Sequence, residues 1–568
     1  MTPAQPSKSA AKRVLIVIQR LRCRVAGYIV LNLLTDAWLP VTRKNSGDAI
    51  IRPSQITEYH TDDPVIAVAW PRPDLRIATL ELLIGLLATA CPPEDGDEWL
   101  KKWRNPPSTA QLDEIFAPFV HAFNLDGPGP RFLQDMEDLQ SGAKPIQQLL
   151  IEAPGDATVG DNTDLMVHRD SVASFGRPAA AIALYTLQSW APGQGSGHHV
   201  GLRGGGPLIT LAIPEDAQSL WHLLWANVPA YGSAPALSGL PLVFPWLAPT
   251  VTSEGARLVT PENAHPLQCW WGMPQRVRLD FTVLEEPRPC GLTGILDTLE
   301  ITTWRKRPHG ANYSAWGRQH PLTPNYKTKT SPEWLPVHLQ PGGIGFQDWL
   351  GLVMKDREET RLPAATISEW RSERGPNLTN GKARILAAGF DMNKAKARAF
   401  IESEMPLPFA ATTAAREAMD YLAENLVKSA NQVASLARGA VKDALFARGA
   451  NVKKDALRFN TVRERLWEQT EPEFFAAMER TARRLPGEAD DDREKWLALL
   501  RRTALALFDE AAPLSPDTGQ TEAIRTATAR KFLGLALAGY GKAGSELFTE
   551  LGRPLPEQKQ SKTKRKAA

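Results

Sequence analysis

A glycine-rich segment, residues 191–207, is the first stretch of the chain that could do chemistry; it reads APGQGSGHHVGLRGGGP. Glycine has no side chain, so its backbone N–H groups can approach a phosphate closely. Arg203, inside the segment, would add positive charge to such a site. The segment follows an apolar, helix-like run (181–190) rather than a strand, so it is not a dinucleotide-binding fingerprint. A phosphate-binding loop and a tight structural turn are both open at this point.

Two short stretches further along combine aromatic and basic side chains. They are Trp304-Arg305-Lys306-Arg307 and Tyr326-Lys327-Thr328-Lys329. Aromatic rings can stack on bases while cations neutralise phosphates, so this combination is typical of nucleic-acid binding. Each stretch taken alone is equally compatible with a solvated loop.

Motifs for catalysis are missing from the sequence. There is no H-E-x-x-H, no phosphate loop of the form G-x-x-x-x-G-K-[ST] and no G-x-S-x-G. The ten histidines are scattered, and the neighbours His198 and His199 would point to opposite faces of a strand. The clustered acidic ligands that a nuclease needs are also missing. We therefore predict no catalytic residue, no metal site and no cofactor.

Composition indicates a soluble protein of two to four domains. The chain has 568 residues, of which 43% are apolar and 23% charged, and its net charge of +3 excludes a globally basic, histone-like protein. The four cysteines are widely separated and form no C-x-x-C pair. We therefore expect neither a disulfide framework nor a four-cysteine zinc site. We expect a cytoplasmic location.

Both ends of the chain are basic. Residues 1–29 contain six basic and no acidic side chains, and residues 559–568 contain five basic and no acidic ones. Arginines at 20, 22 and 24 interrupt the apolar run at 14–34, which argues against a membrane span. A targeting peptide is one interpretation of residues 1–29. We favour a translated upstream extension, and we predict disorder for this extension and for the basic tail, residues 551–568.

Hydrophobic patterning predicts an α+β protein: an irregular mixed α/β domain, residues 30–408, followed by an all-α four-helix bundle, residues 409–550. The bundle helices are predicted at 411–447, 454–484, 491–512 and 520–540. In the first domain we predict a helix over 79–90, a helix pair within 96–126 and strands over 31–41, 207–213 and 276–284. The aromatic residues at near-helical spacing within 96–126 are expected in the core. Residues 390–398, FDMNKAKAR, have the pattern of an amphipathic helix start.

Several motifs recur in one order over most of the chain. They are NLLTDAWLPV (32–41), RFLQD (131–135), PIQQLL (145–150), AIALYTLQSWAPGQGSGHHVGLRGGGP (181–207) and WWGMP (270–274). In this order they resemble CasA, the large-subunit family of the type I-E CRISPR surveillance complex, Cascade. The similarity covers roughly residues 31 to 545 and leaves out both charged ends.

The resemblance implies a DNA-recognition subunit without enzymatic activity. Such a subunit reads a short protospacer-adjacent motif (PAM) in duplex DNA and helps to open the duplex for the guide RNA. Its implied partners are the other Cascade subunits, the 5′ handle of the guide RNA, double-stranded target DNA and a helicase–nuclease, with no membrane. Two other functions stay open: a nucleic-acid hydrolase with an unrecognised site, and a scaffold that binds only proteins.

The resemblance also implies site residues. The PAM-reading residues would be a glycine loop, Gly193, Gly195, Ser196 and Gly197; a basic hairpin, Arg305, Lys306 and Arg307; and a wedge within Gly389–Ala395, at Asn393, Lys394 and Ala395. A loop at 164–170 would contact the guide-RNA handle and neighbouring subunits through Leu165, Met166, Val167, His168 and Arg169. Some relatives hold zinc through paired C-x-x-C motifs, of which only Cys269 and Cys290 remain here, so the expectation of no metal stands. Minor-groove reading implies that several PAMs are tolerated.

Overall fold

The computed structural model of the protein describes residues 24–25, 28–193, 197–230, 232–328, 330–378, 380–393, 395–446, 457–484 and 491–557. Most of the two basic ends lies outside these residues, although Arg24–Val25 and Tyr28–Ile29 pair as short strands. Contacts divide the chain into two units, residues 1–343 with 357–404 and residues 344–356 with 405–568.

The strands form small sheets rather than one large one. Their bounds are β1 Arg24–Val25, β2 Tyr28–Ile29, β3 Leu39–Arg43, β4 Gly47–Ile51, β5 Val65–Val68, β6 Lys144–Pro145, β7 Ile209–Pro214, β8 Arg276–Pro289, β9 Leu296–Arg307, β10 Asn325–Thr328, β11 Ser331–Pro336, β12 Arg361–Leu362, β13 Ala383–Asn393 and β14 Lys396–Leu407. Two of the three-stranded sheets, in the orders β6-β9-β8 and β14-β13-β7, carry predicted site residues. The strands predicted at 207–213 and 276–284 correspond to β7 and β8.

Apart from a four-residue helix at Trp349–Leu352, the α-helices have at most 18 residues in the first unit and up to 33 in the second. Their bounds are α1 Pro73–Ala90, α2 Gly96–Arg104, α3 Thr109–Phe116, α4 Asp156–Gly160, α5 Arg177–Trp190, α6 Leu220–Ala226, α7 Leu240–Val243, α8 Gln268–Trp271, α9 Ala365–Glu369, α10 Thr413–Leu445, α11 Leu457–Arg483, α12 Asp492–Ala511, α13 Gln520–Leu537 and α14 Gly541–Glu550. The four predicted bundle helices match α10 to α13 to within a few residues. The predicted α+β fold class is confirmed.

Helix α1 is the centre of the first unit. From Asp74 to Ala90 every residue except Arg76 is buried, as expected for a helix that is apolar all round. Helix α5, which is also almost wholly buried, packs against it. The predicted aromatic core within 96–126 is confirmed: the buried rings are Trp99, Trp103, Phe116, Phe119 and Phe123.

In the second unit, α10 packs against α11, α12 and α13. Trp496 on α12 is fully buried, and its indole N–H donates to the Leu426 carbonyl at 3.2 Å and to the Ser429 hydroxyl at 3.1 Å on α10. A buried tryptophan with its polar atom satisfied fixes how these two helices meet. No helix among the described residues is both long enough and apolar enough to cross a membrane.

Two local predictions were wrong. Residues 390–398 are not the start of a helix, because they belong to β13 and β14, which are neighbours in one sheet and are connected by residues 394–395. Pairing of β13 with β14 overrides the helix-like spacing. The strand predicted over 31–41 begins only at Leu39, because the Asn32 side chain accepts hydrogen bonds from the Leu34 and Thr35 N–H groups and forms a turn.

Candidate nucleic-acid interface

The glycine-rich segment leaves the C-terminal end of α5 and folds back on itself. The Gly201 N–H donates to the Ala191 carbonyl at 3.1 Å, and the Gly206 N–H donates to the Trp190 carbonyl at 2.8 Å. A side chain at Gly201 would place its Cβ 2.6 Å from the Ser189 carbonyl oxygen. This part of the segment is therefore a tight structural turn, because its backbone packs against itself.

The N-terminal part of the segment is more open. Gly193 and Gly197 are half-buried, whereas Gly195 and Ser196 lie outside the described residues. Gly197 has φ of +76°, a value that favours glycine, and its carbonyl accepts a hydrogen bond from the His309 N–H at 2.7 Å. This contact fixes the predicted glycine loop two residues beyond the basic stretch at 305–307.

Arg203 is not a phosphate ligand, which corrects the sequence-based expectation. Its guanidinium is 2% exposed and lies against the carboxylate of Glu81, which is 1% exposed. One guanidinium nitrogen donates to Glu81 Oε1 at 2.5 Å, and another donates to the Thr323 hydroxyl at 3.1 Å. Because its hydrogen bonds are internal and its charge is paired, Arg203 holds the glycine segment against α1.

Glu81 has further partners. The Trp190 indole N–H donates to Oε2 of Glu81 at 2.8 Å, and Nε2 of His320 lies 3.3 Å from Oε1. Burial alone would raise the pKa of Glu81, but the Arg203 charge and the hydrogen bonds from His320 and Trp190 outweigh it and hold the pKa at about 2. The carboxylate therefore stays charged in the core at neutral pH.

His320 is neutral in this environment. Burial lowers its pKa, and the positive charge of Arg203 lowers it further, to about 4. Its Nδ1 accepts a hydrogen bond from the Leu322 N–H at 3.3 Å, which leaves the ring proton on Nε2, facing Glu81.

Trp190 also positions the hairpin of β13 and β14, which carries the predicted wedge. Its ring lies 6.1 Å from Phe390 and 5.8 Å from Phe400, measured between centroids, and these two rings are 4.9 Å apart. A Cβ on Gly206 would lie 2.7 Å from the Met392 side chain, so the glycine segment and the hairpin touch directly. One aromatic cluster thus holds both elements.

The tip of this hairpin is exposed. Asn393 and Ala395 are exposed, and Lys394 lies outside the described residues. Below the tip, Arg398 of β14 donates to the Asp391 carboxylate of β13 at 2.6 Å. The paired strands therefore present a narrow, polar end to the solvent.

The basic stretch forms the C-terminal end of β9, away from the turn that joins β8 to β9. Arg305 donates to the Asp280 carboxylate at 3.1 Å and to the Ser141 carbonyl at 2.7 Å. Arg307 lies 3.8 Å from the Glu137 carboxylate. Carboxylates therefore offset the charge of both arginines.

The Lys306 side chain lies on the other face of β9, near Lys144 and His198. Its ammonium lies 5.9 Å from the Trp304 ring centroid. Burial lowers the pKa of Lys306 and the charge of Lys144 lowers it further, against the opposing effect of Asp156. Burial also lowers the pKa of His198, and the charges of Lys306 and Lys144 add to this effect. The glycine segment therefore lies near Lys306 and Lys144 on this face, where Asp156 pairs with Lys144 at 2.6 Å.

The loop at 164–170 is separately braced. Asp164 accepts hydrogen bonds from the Arg169 backbone N–H at 3.0 Å and from its guanidinium at 2.6 Å, which closes the loop. The Gln147 amide donates to the His168 carbonyl at 2.7 Å and fixes the base. At the tip, Leu165 is 78% and Met166 94% exposed. Val167 is half-buried.

The structure thus brings the glycine segment next to both the β9 cations and the hairpin. Sequence reasoning missed Glu81, Trp190 and Lys144, which hold or surround these elements. A lone acid in the apolar run TLELLIGLLATA is the signal that could have identified Glu81, because a buried carboxylate needs a partner. Among the described residues, no group of three or more His, Cys, Asp or Glu side chains could hold a metal ion.

We predict that His320→Gln reduces acid destabilisation. The pKa of His320 falls from its ordinary value of 6.5 to about 4 in the folded state, so only the unfolded chain takes up this proton between these pH values. The contribution of neutral His320 to the free energy of unfolding is fully present above pH 6.5. It falls as the pH drops, by about 2 kcal/mol at pH 5. The glutamine amide of the variant would still donate to Glu81 without titrating.

The measurement is chemical denaturation at pH 7 and pH 5. We expect the variant to lose about 2 kcal/mol less than the unmodified chain over this interval. His121→Gln, on an exposed residue, is the matched control and should leave the pH dependence unchanged. An equal loss in the His320→Gln variant would contradict the assignment of a buried neutral histidine.

Comparison with known proteins identifies the family. The family model described as CRISPR-associated protein Cse1 matches residues 32–507. The fold is similar to that of Thermobifida fusca Cse1, with 16% identity, a TM-score of 0.65 and coverage of 92% of this chain and 98% of that one. It is also similar to Thermus thermophilus CasA, with 18% identity, a TM-score of 0.61 and coverage of 90% of this chain and 99% of that one.

A chain of a CRISPR RNA-guided surveillance complex is similar as well, with 16% identity, a TM-score of 0.59 and coverage of 89% of this chain and 99% of that one. At these identities the structures establish the fold, and the family model, which matches most of the chain, establishes the relationship. The resemblance found in the sequence motifs is confirmed: the chain belongs to the CRISPR-associated Cse1 family, which is also called CasA.

Proposed function

We propose that the protein is the large subunit of an RNA-guided Cascade complex, where it reads the PAM in duplex DNA, starts opening of the duplex and recruits a helicase–nuclease. One observation supports this most: a single buried cluster around Trp190 holds the glycine segment and the hairpin together, while the glycine segment bonds to the backbone beside the β9 cations. The glycine segment thus touches the hairpin near its end, at Gly206, and touches the backbone beside β9 at Gly197.

Each element has a physical role in this proposal. The glycine-rich backbone at 193–197 lies against the minor groove, and a cation from β9 enters the groove or neutralises phosphate. The hairpin tip at 393–395, of which Asn393 and Ala395 are exposed, inserts below the PAM, where unstacking costs a few kcal/mol per base step. The groove pattern distinguishes mainly A·T from G·C, so several PAMs are tolerated.

We further propose that the loop at 164–170 contacts the guide-RNA handle and neighbouring subunits. Its braced base and its exposed apolar tip, Leu165 and Met166, support this role. Exposed side chains of this size gain most from burial against another surface. Arg169 is engaged with Asp164, so it orders the loop rather than supplying free charge.

A non-enzymatic role in the cytoplasm completes the proposal. Burial raises the pKa of the Cys91 and Cys269 thiols to about 12, so neither is a reactive nucleophile. The alternative, a nucleic-acid hydrolase, would need a catalytic site that we have not recognised among the described residues. Metal-dependent cleavage of DNA by the purified protein would favour that alternative.

The first prediction compares two adjacent cations in the assembled complex. Lys306→Gln should weaken binding to PAM-containing duplex and reduce the slope of log affinity against log salt by about one. Arg305→Gln is the matched control, because that side chain lies on the opposite face of β9 from Lys306, beside Asp280 and Ser141. The measurement is duplex affinity over a salt series.

A larger loss of slope for Arg305→Gln than for Lys306→Gln would contradict the choice of Lys306. Unchanged slopes in both variants would mean that the β9 cations form a solvated surface. That second outcome would favour a scaffold that binds only proteins.

The second prediction concerns duplex opening. Lys394→Ala should impair binding to an intact target duplex more than binding to a target that is already unpaired, because the wedge acts only where bases are stacked. Lys396→Ala, exposed at the start of β14, is the control for a simple loss of charge. Affinity for the two substrates is measured with the assembled complex. Equal losses on both substrates would mean that Lys394 only contacts phosphate.

A further inference from the structure

We infer that Glu81 and Arg203 are positioning residues for PAM reading: they contact no DNA, yet they set the relative placement of the glycine segment and the hairpin. The inference rests on the proposed function. It concerns a buried ion pair that lies beneath the interface rather than on it.

The two carboxylate oxygens of Glu81 serve different elements. Oε1 accepts from Arg203, inside the glycine segment, and Oε2 accepts from the indole N–H of Trp190, at the end of α5. Since α1 is buried along nearly its whole length, Glu81 cannot shift without disturbing the core. The carboxylate therefore fixes two groups from the same rigid helix.

Trp190 carries this constraint to the hairpin. Its ring stacks on Phe400 of β14 and meets Phe390 of β13 edge-on. Its carbonyl accepts the Gly206 N–H, and the Arg203 guanidinium lies 6.0 Å from its ring centroid. Each contact described above between the glycine segment and the hairpin involves either Trp190 or Gly206.

A buried ion pair is a poor device for stability alone. Well-packed apolar residues of similar volume often replace such a pair without loss of stability, whereas removal of one partner leaves an uncompensated charge. An apolar replacement would not fix the orientation of the neighbouring groups, because it lacks the hydrogen bonds that specify their angle and register. The geometry here points to placement of the two PAM elements as the role of the pair.

The test separates stability from discrimination. Glu81→Leu alone should lower the thermal unfolding midpoint, because it leaves Arg203 buried and unpaired. The double variant Glu81→Leu with Arg203→Met should recover most of that midpoint. In the assembled complex its ratio of affinities for duplexes with and without PAM should fall about tenfold, while affinity for an unpaired target stays unchanged.

The matched control is a second ion pair in the same unit, between a buried arginine and a half-buried glutamate. Arg374 and Glu369 pair away from these elements, so Arg374→Met with Glu369→Leu should leave the PAM ratio unchanged whatever its effect on stability. Trp190→Phe keeps one aromatic ring at this position and removes the N–H donor to Glu81, together with part of the ring volume. It should lower the PAM ratio as well, and it decides the question if the double variant does not fold.

An unchanged PAM ratio in either folded variant overturns the inference and leaves the proposed function intact. A fall in the ratio together with an equal fall in affinity for unpaired target also overturns it, because that result indicates general damage. Absence of any PAM preference in the unmodified complex would instead overturn the proposed function itself.

Discussion

The carboxylate of Glu81 lies in the middle of an otherwise apolar helix, where water cannot solvate it. Burial of a charge is costly unless it is paired and hydrogen-bonded, so the surrounding chain has to supply partners. Arg203, Trp190 and His320 do so, and each comes from a different segment of the sequence. The path of the glycine segment, the direction of Trp190 and the anchoring of the hairpin all follow from this requirement.

Charge is used differently at the core and at the surface of the site. In the core of the site the charges of Glu81 and Arg203 are paired, and the surface arginines of β9 are largely offset by Asp280 and Glu137. Lys306 lies on the opposite face of β9 from these arginines, beside Lys144, which pairs with Asp156 at 2.6 Å. A net charge of only +3 agrees with a protein that binds DNA weakly alone and shares backbone contacts with other subunits.

Sequence patterns predicted the elements that have clear periods. The long helices and the buried aromatics within 96–126 follow from their 3.6-residue spacing. The hairpin of β13 and β14 could not be found this way, because pairing of its two strands and packing of Phe390 and Phe400 on Trp190 decide its conformation, and helical periodicity reports neither. The strand predicted from residue 31 failed for a local reason, the turn made by the Asn32 side chain.

The site was predictable only in part. Resemblance to the family suggested the glycine loop, the basic stretch and the wedge as the site, but charge and glycine content alone left the role of Arg203 open, since its burial depends on a partner 122 residues away. Nothing in local sequence distinguishes Lys306 from Arg305 and Arg307. That distinction comes from strand register, which turns alternate side chains to opposite faces.

Selection from a randomised library tests the central claim, that this chain reads the PAM, most directly. Duplexes would carry a fixed target for the guide and random bases beside it, and Cascade would be assembled with and without this chain. We predict that the bound duplexes share a short motif next to the target only when the chain is present. Equal enrichment of all flanking sequences with the chain present, or the same motif in its absence, would contradict the account.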